Sequence, residues 1–252
     1  MKFFCLTLFP EMIEMVMNTS IIGRAREQAL IEARAVNIRD FSLDKHKRVD
    51  DYPYGGGAGM VMQAEPLCLA YEAICRELSM VPRLIYLTPQ GEVFTQNKAK
   101  ELALEENLVF LCGHYEGVDE RALELLGAQP MSIGDYVLTG GELPALVMMD
   151  AISRMVPGVL SNEESGDFES FEDHLLEYPQ YTRPGSFRGL EVPQVLLSGH
   201  HKNISEWRRC QSIRRTLERR PELLEQAVLT PKERLYLDTL KREESDDSRG
   251  DQ

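Results

Sequence analysis

Two short apolar runs decide the fold class: residues 84–87 read LIYL and residues 108–111 read LVFL. Neither run alternates between apolar and polar residues, so each would place hydrophobic side chains on both faces of a strand. Strands of that kind are typical of a parallel sheet that is covered by helices on both faces. Strand signals at 2–9, 35–41 and 131–138 alternate with helical segments, and this alternation predicts an α/β layered domain.

The first 160 residues supply the whole of this alternating pattern. The predicted strands are Lys2–Phe9, Ala35–Phe41, Arg83–Thr88, Leu108–Cys112 and Met131–Leu138. The predicted helices are Glu11–Met17, Ala64–Ser79, Asn97–Glu106, Asp119–Leu126 and Glu142–Met155. We therefore assign residues 1–160 to one α/β domain.

The remainder of the chain has a different character. Residues 161–182 are acidic and weakly periodic, which indicates an interdomain linker. Residues 183–243 predict a small, all-helical C-terminal domain, in which Asn203 and Thr230 are expected to be helix N-caps. Residues 244–252 form an acidic tail that is predicted to be disordered.

The composition is that of a globular protein. The chain has 252 residues, of which 43% are hydrophobic and 27% are charged, and this is enough to bury a sizeable core. Its five cysteines form no C-x-x-C pair, so we expect no disulfide framework and a reducing, cytoplasmic location. No apolar run approaches the roughly 18 residues of a membrane-spanning helix, so no membrane partner is expected.

Charge is distributed unevenly along the chain. The formal net charge is −13, which by itself argues against nucleic acid binding. Much of it is concentrated, because residues 160–180 carry seven acids and no Lys or Arg, and residues 238–252 carry six acids against three bases. In contrast, residues 201–221 hold seven Lys or Arg against two Glu, and residues 22–48 hold seven against four acids. An acidic protein of this kind can still present a basic groove to RNA.

Glycine-containing turns follow three of the predicted strands, at residues 88–91, 113–117 and 134–141. In open α/β sheets, ligands bind beyond the carboxyl ends of the strands, and glycines there let the backbone approach a ligand closely. Any one of these turns could serve only to reverse the chain. Three of them on successive strands favour a binding pocket.

The residues alone leave the ligand open. The glycine run at 54–59 lacks the ending of a P-loop, and Met62 stands where a dinucleotide fingerprint has its third glycine. The run suits a loop that packs on a flat ligand and a flexible turn equally well. Adjacent His200 and His201 have no third ligand at a suitable spacing, so no metal site is predicted. Trp207 suits either helix packing or stacking on a nucleotide.

Longer motifs run in order along most of the chain: FPEM at 9–12, YGGGAGM at 54–60, YLTPQG at 86–91, GHYEGVDER at 113–121, SIGDYVLTGGE at 132–142, SFED at 170–173, YTRP at 181–184 and LSGHH at 197–201. Together they resemble the signature of the bacterial tRNA (guanine-N1)-methyltransferase family, the TrmD family. That family belongs to the SPOUT class of knotted methyltransferases. The number and order of the motifs make a chance match negligible.

This resemblance implies a fold, a cofactor and an assembly. The fold is a SPOUT-type α/β domain whose parallel sheet carries a deep trefoil knot, and the knot loops bind S-adenosyl-L-methionine. By motif match, the implied cofactor-binding residues are Tyr86, Leu87, Thr88, Pro89, Gly91, Gly113, Tyr115, Glu116, Ser132, Ile133, Gly134, Tyr136, Leu138, Gly140 and Gly141. The family works as a homodimer, in which the cofactor loops of one subunit face the linker and helical domain of the other.

The resemblance also implies the reaction, in which a methyl group passes to N1 of the guanosine at position 37 of tRNA, just 3′ of the anticodon. Asp173 falls at the position of the general base, and Arg154 at that of the residue that stabilises charge on O6. Mg²⁺ is allowed as a second cofactor, with Glu116 as its contact. The implied RNA contacts are Arg24, Gly55, Gly56, Gly59, Lys202, Arg208 and Arg215, with Arg209 and Arg214 as further candidates.

Three other functions are weighed against this one. A non-enzymatic RNA-binding protein on the same scaffold would be expected to lose Asp173 or the cofactor glycines, and both are present. A SPOUT enzyme that acts on ribosomal RNA or on a ribose 2′-hydroxyl would not be expected to carry this linker and basic helical domain together. A doubly wound metabolic enzyme is disfavoured because the phosphate fingerprints are missing.

Overall fold

The structure is a computed structural model that describes residues 1–160, 170–171 and 173–250, without the side chains of 244–250. The chain divides into two compact units, Met1–Ser161 and Asn162–Gln252. Each unit has its own hydrophobic core, so each is described by itself.

Two expectations concern the chain as a whole. All five cysteines are free thiols. Within the described ranges, we find no helix that is both long enough and apolar enough to cross a membrane.

A parallel sheet forms the centre of the first unit. Its strands and helices are β1 (Lys2–Thr7), α1 (Pro10–Met17), α2 (Ser20–Glu27), β2 (Glu32–Asn37), β3 (Asp50–Asp51), β4 (Val61–Met62), α3 (Ala64–Leu78), β5 (Arg83–Val93), α4 (Gln96–Leu102), β6 (Asn107–Leu111), α5 (Glu120–Leu126), β7 (Gln129–Ser132) and α6 (Glu142–Ser153). Five of these strands pair in parallel in the order β2-β1-β6-β5-β7, whereas β3 and β4 form a small antiparallel pair. The predicted α/β architecture with a parallel sheet is confirmed.

Both faces of this sheet are buried, as the two apolar runs predict. Phe3 and Phe110 belong to the core on one face, and Phe4 and Leu111 belong to the core on the other. Successive side chains of a strand point to opposite faces, so a strand without polar positions contributes to both cores. Helices α1, α2, α4 and α6 supply residues to the first core, and α3 and α5 supply residues to the second.

The predicted boundaries of the second strand are wrong. The sequence pattern places a strand at 35–41, but β2 ends at Asn37 and residues 38–41 form a 3₁₀ turn. The side chain of Asn37 accepts a hydrogen bond from the backbone N–H of Arg39 at 3.0 Å, and such local bonds compete with a strand ladder. Helix α2, which precedes β2, was not predicted at all.

The last predicted strand of the sheet is also too long. It was expected to cover 131–138, but β7 ends at Ser132. The Ser132 hydroxyl bonds to both the backbone N–H and the carbonyl of Gly134, whose φ is 143°. This local turn stops the strand and leaves residues 133–141 as a loop.

The second unit is helical apart from one hairpin. Its strands and helices are β8 (Ser186–Phe187), β9 (Leu190–Glu191), α7 (Gln194–Leu197), α8 (His201–Arg219) and α9 (Pro231–Gly250). The prediction of an all-helical domain therefore needs correction, because β8 and β9 pair in antiparallel fashion. At the tip, Arg188 and Gly189 both have positive φ, which is the backbone twist that a two-residue hairpin loop requires.

The two expected helix caps have different outcomes. Thr230 caps α9 as predicted, because its hydroxyl accepts from the N–H of Glu233 at 3.3 Å while the Glu233 carboxylate accepts from the N–H of Thr230 at 2.7 Å. The cap expected at Asn203 is wrong, since α8 begins at His201. Helix α9 continues to Gly250, through most of the tail that the sequence predicts to be disordered, and no glycine or proline interrupts it after its first residue.

The predicted linker, 161–182, is described only in its second half. Residues 161–169 and 172 lie outside the described residues. Leu175 is buried in a core with Ile213 of α8 and with residues of α9. The described end of the linker therefore packs with the helical unit.

Candidate functional site

A cleft of about 240 Å³ lies at the carboxyl ends of three neighbouring strands, β6, β5 and β7. Its walls come from residues 86–90, from 113–117 and from the stretch between 131 and 141, together with Pro144 of α6. Carboxyl ends of parallel strands meet at one edge of a sheet, which is the usual place for a ligand. The structure thus brings the three glycine-containing turns to a single space.

Fourteen of the fifteen residues predicted to bind the cofactor line this cleft. The exception is Gly91, where an added Cβ would overlap the backbone of Pro130 and Met131. Gly91 therefore allows β5 and β7 to approach each other and does not form part of the wall. Five further lining residues lie within the loops that the motif match predicts to bind the cofactor, at 86–91, 113–117 and 132–141: Gln90, His114, Gly117, Val137 and Thr139. The motif match missed Met131 and Pro144, which lie outside those loops.

Glycines form part of the cleft because side chains would fill it. A Cβ on Gly113 would lie 3.1 Å from the ring of Tyr86, which is a movable neighbour. A Cβ on Gly141 would lie 2.5 Å from the Cα of Cys112, which is backbone and cannot yield. A substitution at Gly113 would therefore narrow the cleft, whereas one at Gly141 would displace the end of β6.

A buried carboxylate connects the elements beneath the cleft. Glu142, the first residue of α6, is only 2% exposed. It accepts a hydrogen bond from the Thr7 hydroxyl at 2.5 Å, and its second oxygen lies 2.7 Å from Nε2 of His114. The start of a helix favours negative charge, which suits a carboxylate there. Sequence analysis missed this network because Thr7 and Glu142 are separated by 135 positions.

Two buried thiols near this carboxylate are excluded as nucleophiles. Burial raises the pKa of Cys5 far above its ordinary value, and the charge of Glu142 raises it further. Burial also raises the pKa of Cys112, with added contributions from Cys5 and Glu142. Both thiols stay protonated at neutral pH, and a thiol in that form is a poor nucleophile.

The glycine run at 54–59 forms a loop beside the rim of the cleft. Positive φ is shared by the three glycines that were predicted to contact RNA: Gly55, Gly56 and Gly59. The backbone N–H of Glu116 donates to the carbonyl of Met60 at 3.0 Å, and the Glu116 carboxylate occupies the space where a Cβ on Gly59 would lie. The loop predicted to contact RNA and the loop predicted to bind the cofactor are therefore neighbours.

The described residues include no group of three or more His, Cys, Asp or Glu side chains placed to hold a metal ion. Glu116, the implied contact of Mg²⁺, is an exposed carboxylate at the rim of the cleft. Mg²⁺ usually keeps several waters and takes one or two carboxylates. Glu116 could serve as one such ligand, but it does not define a site alone.

The two implied catalytic residues lie in different units. Arg154 is half-buried and directly follows α6 in the first unit. Asp173 belongs to the second unit, where its Oδ2 pairs with Nη1 of Arg209. Arg209 also pairs with Glu233 at 2.9 Å. Burial alone would lower the pKa of Arg209, but hydrogen bonds with these two carboxylates raise it above its ordinary value.

Three arginines of α8 hold the described end of the linker, and we call Arg208, Arg209 and Arg215 the linker clamp. The guanidinium of Arg208 lies 4.8 Å from the ring centre of Tyr178. Arg215 donates to the backbone carbonyl of Glu177 at 2.9 Å. All three clamp arginines were predicted to contact RNA, and all three have partners inside their own unit.

Other predicted RNA contacts face solvent. Lys202 and Arg214 on α8 and Arg24 on α2 are exposed. A hydrogen bond with Tyr236 raises the pKa of Arg214 above its ordinary value, so this charge is permanent at neutral pH. Exposed cations of this kind are accessible to phosphates.

Comparison with known proteins gives matches over most of the chain. A family model described as tRNA (Guanine-1)-methyltransferase TrmD matches residues 1–226. A protein of Lachnospira eligens is 60% identical over 90% of this chain and 97% of its own length. A protein of Clostridioides difficile is 58% identical over 88% of this chain and 97% of its own length. A protein of Lachnoclostridium phytofermentans is 55% identical over 96% of this chain and 97% of its own length, and all three proteins are named tRNA (guanine-N(1)-)-methyltransferase.

Proposed function

The chain belongs to the tRNA (guanine-1)-methyltransferase TrmD family, and we propose that it transfers a methyl group from S-adenosyl-L-methionine to N1 of the guanosine at position 37 of tRNA, just 3′ of the anticodon. One observation carries the finer part of this proposal. Motifs that are separate in the sequence, at 86–91, 113–117 and 132–141, converge on one cleft at the carboxyl ends of parallel strands.

The cleft fits S-adenosyl-L-methionine in shape and in polarity. Its glycines leave space that any side chain would occupy, which suits close contact between the backbone and a bent ligand. Leu87, Ile133 and Leu138 offer apolar walls for a flat base, and Glu116 offers negative charge to a cationic ligand. When bound, this donor supplies an electrophilic methyl group on a sulfonium that becomes neutral on transfer, so the donor needs no metal for activation.

Asp173 is the general base of the proposed reaction. Guanine N1 carries a proton at neutral pH and is a poor nucleophile until a base removes it. Arg209 holds Oδ2 of Asp173, whereas Oδ1 has no hydrogen-bond partner in the described part of the chain. Arg209 therefore acts as a positioning residue that orients the carboxylate, and Oδ1 takes the proton from N1.

Arg154 stabilises the charge that proton removal sends toward O6 of the guanine. A guanidinium is permanently charged and presents forked donors, which suits this role. The length of α6 supports a role for Arg154 at the cleft of another subunit. The helix begins beside the cleft, and its 12 residues span about 18 Å, so Arg154 at its end lies beyond the reach of that same cleft.

This distance supports a homodimer with composite sites. We propose that Arg154 and Asp173 of one subunit act at the cleft of its partner. Arg154 belongs to the same unit as the cleft but does not line it, although the motif match assigns it to catalysis. Pairing two copies would supply each cleft with this cation, and the family resemblance implies that the base comes from the same partner.

A trefoil knot is part of the proposal, and the path of the chain supports it. β7 lies at the edge of the sheet, next to β5. After β7 the chain returns to the end of β6, where the backbone N–H of Gly141 donates to the carbonyl of Gly113 at 3.0 Å. To do so it crosses the end of β5, where residues 88–91 leave the sheet and rejoin it. Crossing under such a loop is how a chain becomes threaded, although threading is very rare among folds.

Transfer RNA is expected to contact both units through exposed groups. Lys202 and Arg214 offer charge from α8, and Arg24 offers charge from α2. The glycine loop at 54–59 places main-chain groups beside the cleft. We propose that these groups, and not the linker clamp, make the phosphate contacts.

One assay tests the proposed function directly. The protein is incubated with methyl-labelled S-adenosyl-L-methionine and an unmodified tRNA transcript, and the product is digested to nucleosides. We expect label only in N1-methylguanosine, and none when the guanosine at position 37 is replaced by adenosine. Label in another nucleoside, or label that survives the replacement, would assign a different activity.

A further inference from the structure

The second unit contains a cavity that the proposed reaction does not use. It has a volume of about 500 Å³ and lies between the segment after Tyr178 and the helices α7 and α8. Tyr181 and Trp207 supply aromatic rings to its wall, Arg183 and Arg208 supply guanidinium groups, and the remainder is largely apolar. The cavity is therefore flat-sided, aromatic and positively charged.

The two rings leave surface available for stacking. The ring centres of Tyr181 and Trp207 are 6.3 Å apart and their planes meet at 53°, so neither ring covers the face of the other. Tyr181 is 48% exposed although it is aromatic. Proteins that bind single-stranded nucleic acid stack successive bases on aromatic rings of this kind, beside cationic groups that follow the backbone.

Arg208 adds an unsatisfied donor to the cavity. Its guanidinium lies over the ring of Tyr178, and its Nε is buried without a hydrogen-bond partner among the described residues. Leaving a charged donor unpaired in a buried position is costly, so an acceptor supplied by a ligand would be bound there. The edges of nucleic-acid bases carry such acceptors.

The charge around the cavity matches a polyanion. Residues 178–208 hold four Lys or Arg against two Glu, in a chain whose net charge is −13. Lys202, in the first turn of α8, is exposed close to Ile204, which lines the cavity. A free nucleotide would use the ring stack and one cation, whereas a strand of RNA would use the surrounding charges as well.

We propose that this cavity binds an unpaired base of the RNA substrate, distinct from the guanine that receives the methyl group. The identification of the RNA as tRNA rests on the proposed function. The stacking chemistry does not, because it follows from the rings and guanidinium groups alone. Binding here would anchor the RNA at a second point and so raise its affinity without altering the chemical step.

The sole tryptophan of the chain is Trp207, so its fluorescence reports on this cavity directly. Two single-stranded RNA hexamers of equal charge serve as probes: hexaadenylate, and a hexamer of the same backbone without bases. At fixed salt, hexaadenylate should quench the fluorescence on binding, and the abasic hexamer should not. Equal quenching by both probes, or by neither, would overturn the proposal. Quenching that depends on protein concentration without RNA would also overturn it, since a second copy would then fill the cavity.

Four variants separate stacking from simple charge. Tyr181→Ala should weaken hexaadenylate binding by about tenfold and leave abasic binding unchanged, and Tyr181→Phe should retain full affinity. Arg183→Gln should weaken binding of both probes, whereas Arg188→Gln, at the tip of the hairpin that follows and outside the cavity, should not. Because Tyr181 is half-exposed, its truncation should leave the thermal unfolding temperature unchanged. Unaltered hexaadenylate affinity in Tyr181→Ala would contradict the inference.

The methyl transfer assay keeps this inference apart from the proposed function. If the enzyme methylates tRNA but shows no base-dependent quenching, the proposed function stands and the proposal that the cavity binds a base is refuted. A protein that shows base-dependent quenching without methylating tRNA would retain the base site and refute the proposed function. Tyr181→Ala should raise KM for tRNA about tenfold with kcat little changed, and a fall in kcat with unchanged KM would contradict an anchoring role.

Discussion

The cleft of the first unit and the basic helix of the second unit were both predicted as binding surfaces. They differ in how many of their predicted binding residues are available to a ligand. In the cleft, nearly every residue that the motifs indicate lies on the wall. On α8, three of the predicted cations are occupied by partners in their own unit, and Lys202 and Arg214 face solvent. A cleft made by strand ends follows from topology, whereas the use of a charged side chain depends on which partner is nearest.

This difference shows that charge on a helix does not by itself assign a residue to ligand binding, because the side chain can have a structural partner. The linker clamp consists of arginines that meet a carboxylate, a carbonyl and an aromatic ring of the linker. Their first task is to fix the segment that carries Asp173. We therefore expect losses at Arg209 and Arg215 to alter the catalytic step and losses at the exposed cations to alter only RNA binding.

The largest expected effect is that of Asp173→Asn, which keeps the shape of the side chain and removes its basicity. Turnover should fall by about 10²–10⁴-fold, the usual contribution of a general base, while cofactor affinity stays unchanged. Residual activity should rise toward alkaline pH, where guanine loses its N1 proton without help. Single-turnover rates across a pH series measure this.

Glu177→Gln is the matched control for Asp173→Asn, since Glu177 lies in the same segment and its carboxylate contacts Gln180. Its turnover should stay close to that of the parent enzyme. Near-normal chemistry in Asp173→Asn would exclude Asp173 as the base and direct attention to Glu169 or Glu172.

The next effect concerns the buried carboxylate beneath the cleft. Glu142→Ala removes the acceptor of Thr7 and the partner of His114, and it should lower the free energy of unfolding by about 1–3 kcal/mol. Glu120→Ala removes the first residue of α5, an equivalent helix position that is exposed, and should cost much less. Urea unfolding measures the free energy of unfolding of both variants. Equal losses in the two variants would show that the hydrogen bonds of Glu142 do not stabilise the fold.

A smaller effect is expected when the cleft is narrowed. Gly113→Val places a side chain against Tyr86 and should weaken S-adenosyl-L-methionine binding by about tenfold or more, with the fold retained. Gly185→Val is the matched control, because nothing lies within 4 Å of a Cβ at Gly185 and it does not line the cleft. Calorimetric titration gives both affinities. Unchanged binding in Gly113→Val would show that the cofactor does not bind in this cleft.

The smallest effect distinguishes the exposed cations from the clamp. Lys202→Gln should weaken tRNA binding several-fold and reduce the slope of log affinity against log salt by about 0.7–0.9, as the loss of one phosphate contact requires. Arg215→Gln should leave that slope unchanged, because Arg215 is engaged with the carbonyl of Glu177. A reduced slope in Arg215→Gln would place the clamp in the RNA interface.

Local rules predicted the parts of this molecule that depend on local structure. The apolar runs of β5 and β6 specify a buried parallel sheet, and the Thr230 capping box specifies the start of α9. The end of β7 could not be predicted from apolar residues alone, because a hydroxyl bond from Ser132 to Gly134 stops it. The turn after β2 has the same kind of cause, in the side chain of Asn37.

Contacts between residues that are far apart in the chain could not be predicted from the sequence. Nothing in the pattern pairs Thr7 with Glu142, or Asp173 with Arg209, since these contacts exist only after the elements pack. The sequence already predicted the helix that ends near Arg154 and placed Asp173 in a separate segment, but the position of that helix beside the cleft was known only from the fold.

The central claim is that a cleft in one subunit works with a base from the other, and mixed dimers test it most directly. An Asp173→Asn chain and a Gly113→Val chain, each with strongly reduced activity as a homodimer when S-adenosyl-L-methionine is limiting, are combined under that condition, and the heterodimer is isolated by two different tags. One of its sites then joins an intact cleft to an intact base, so we predict methyl transfer to tRNA at about half of the parent rate. Heterodimers that form but show no more activity than either parent variant would contradict the account, because cleft and base would then belong to the same chain.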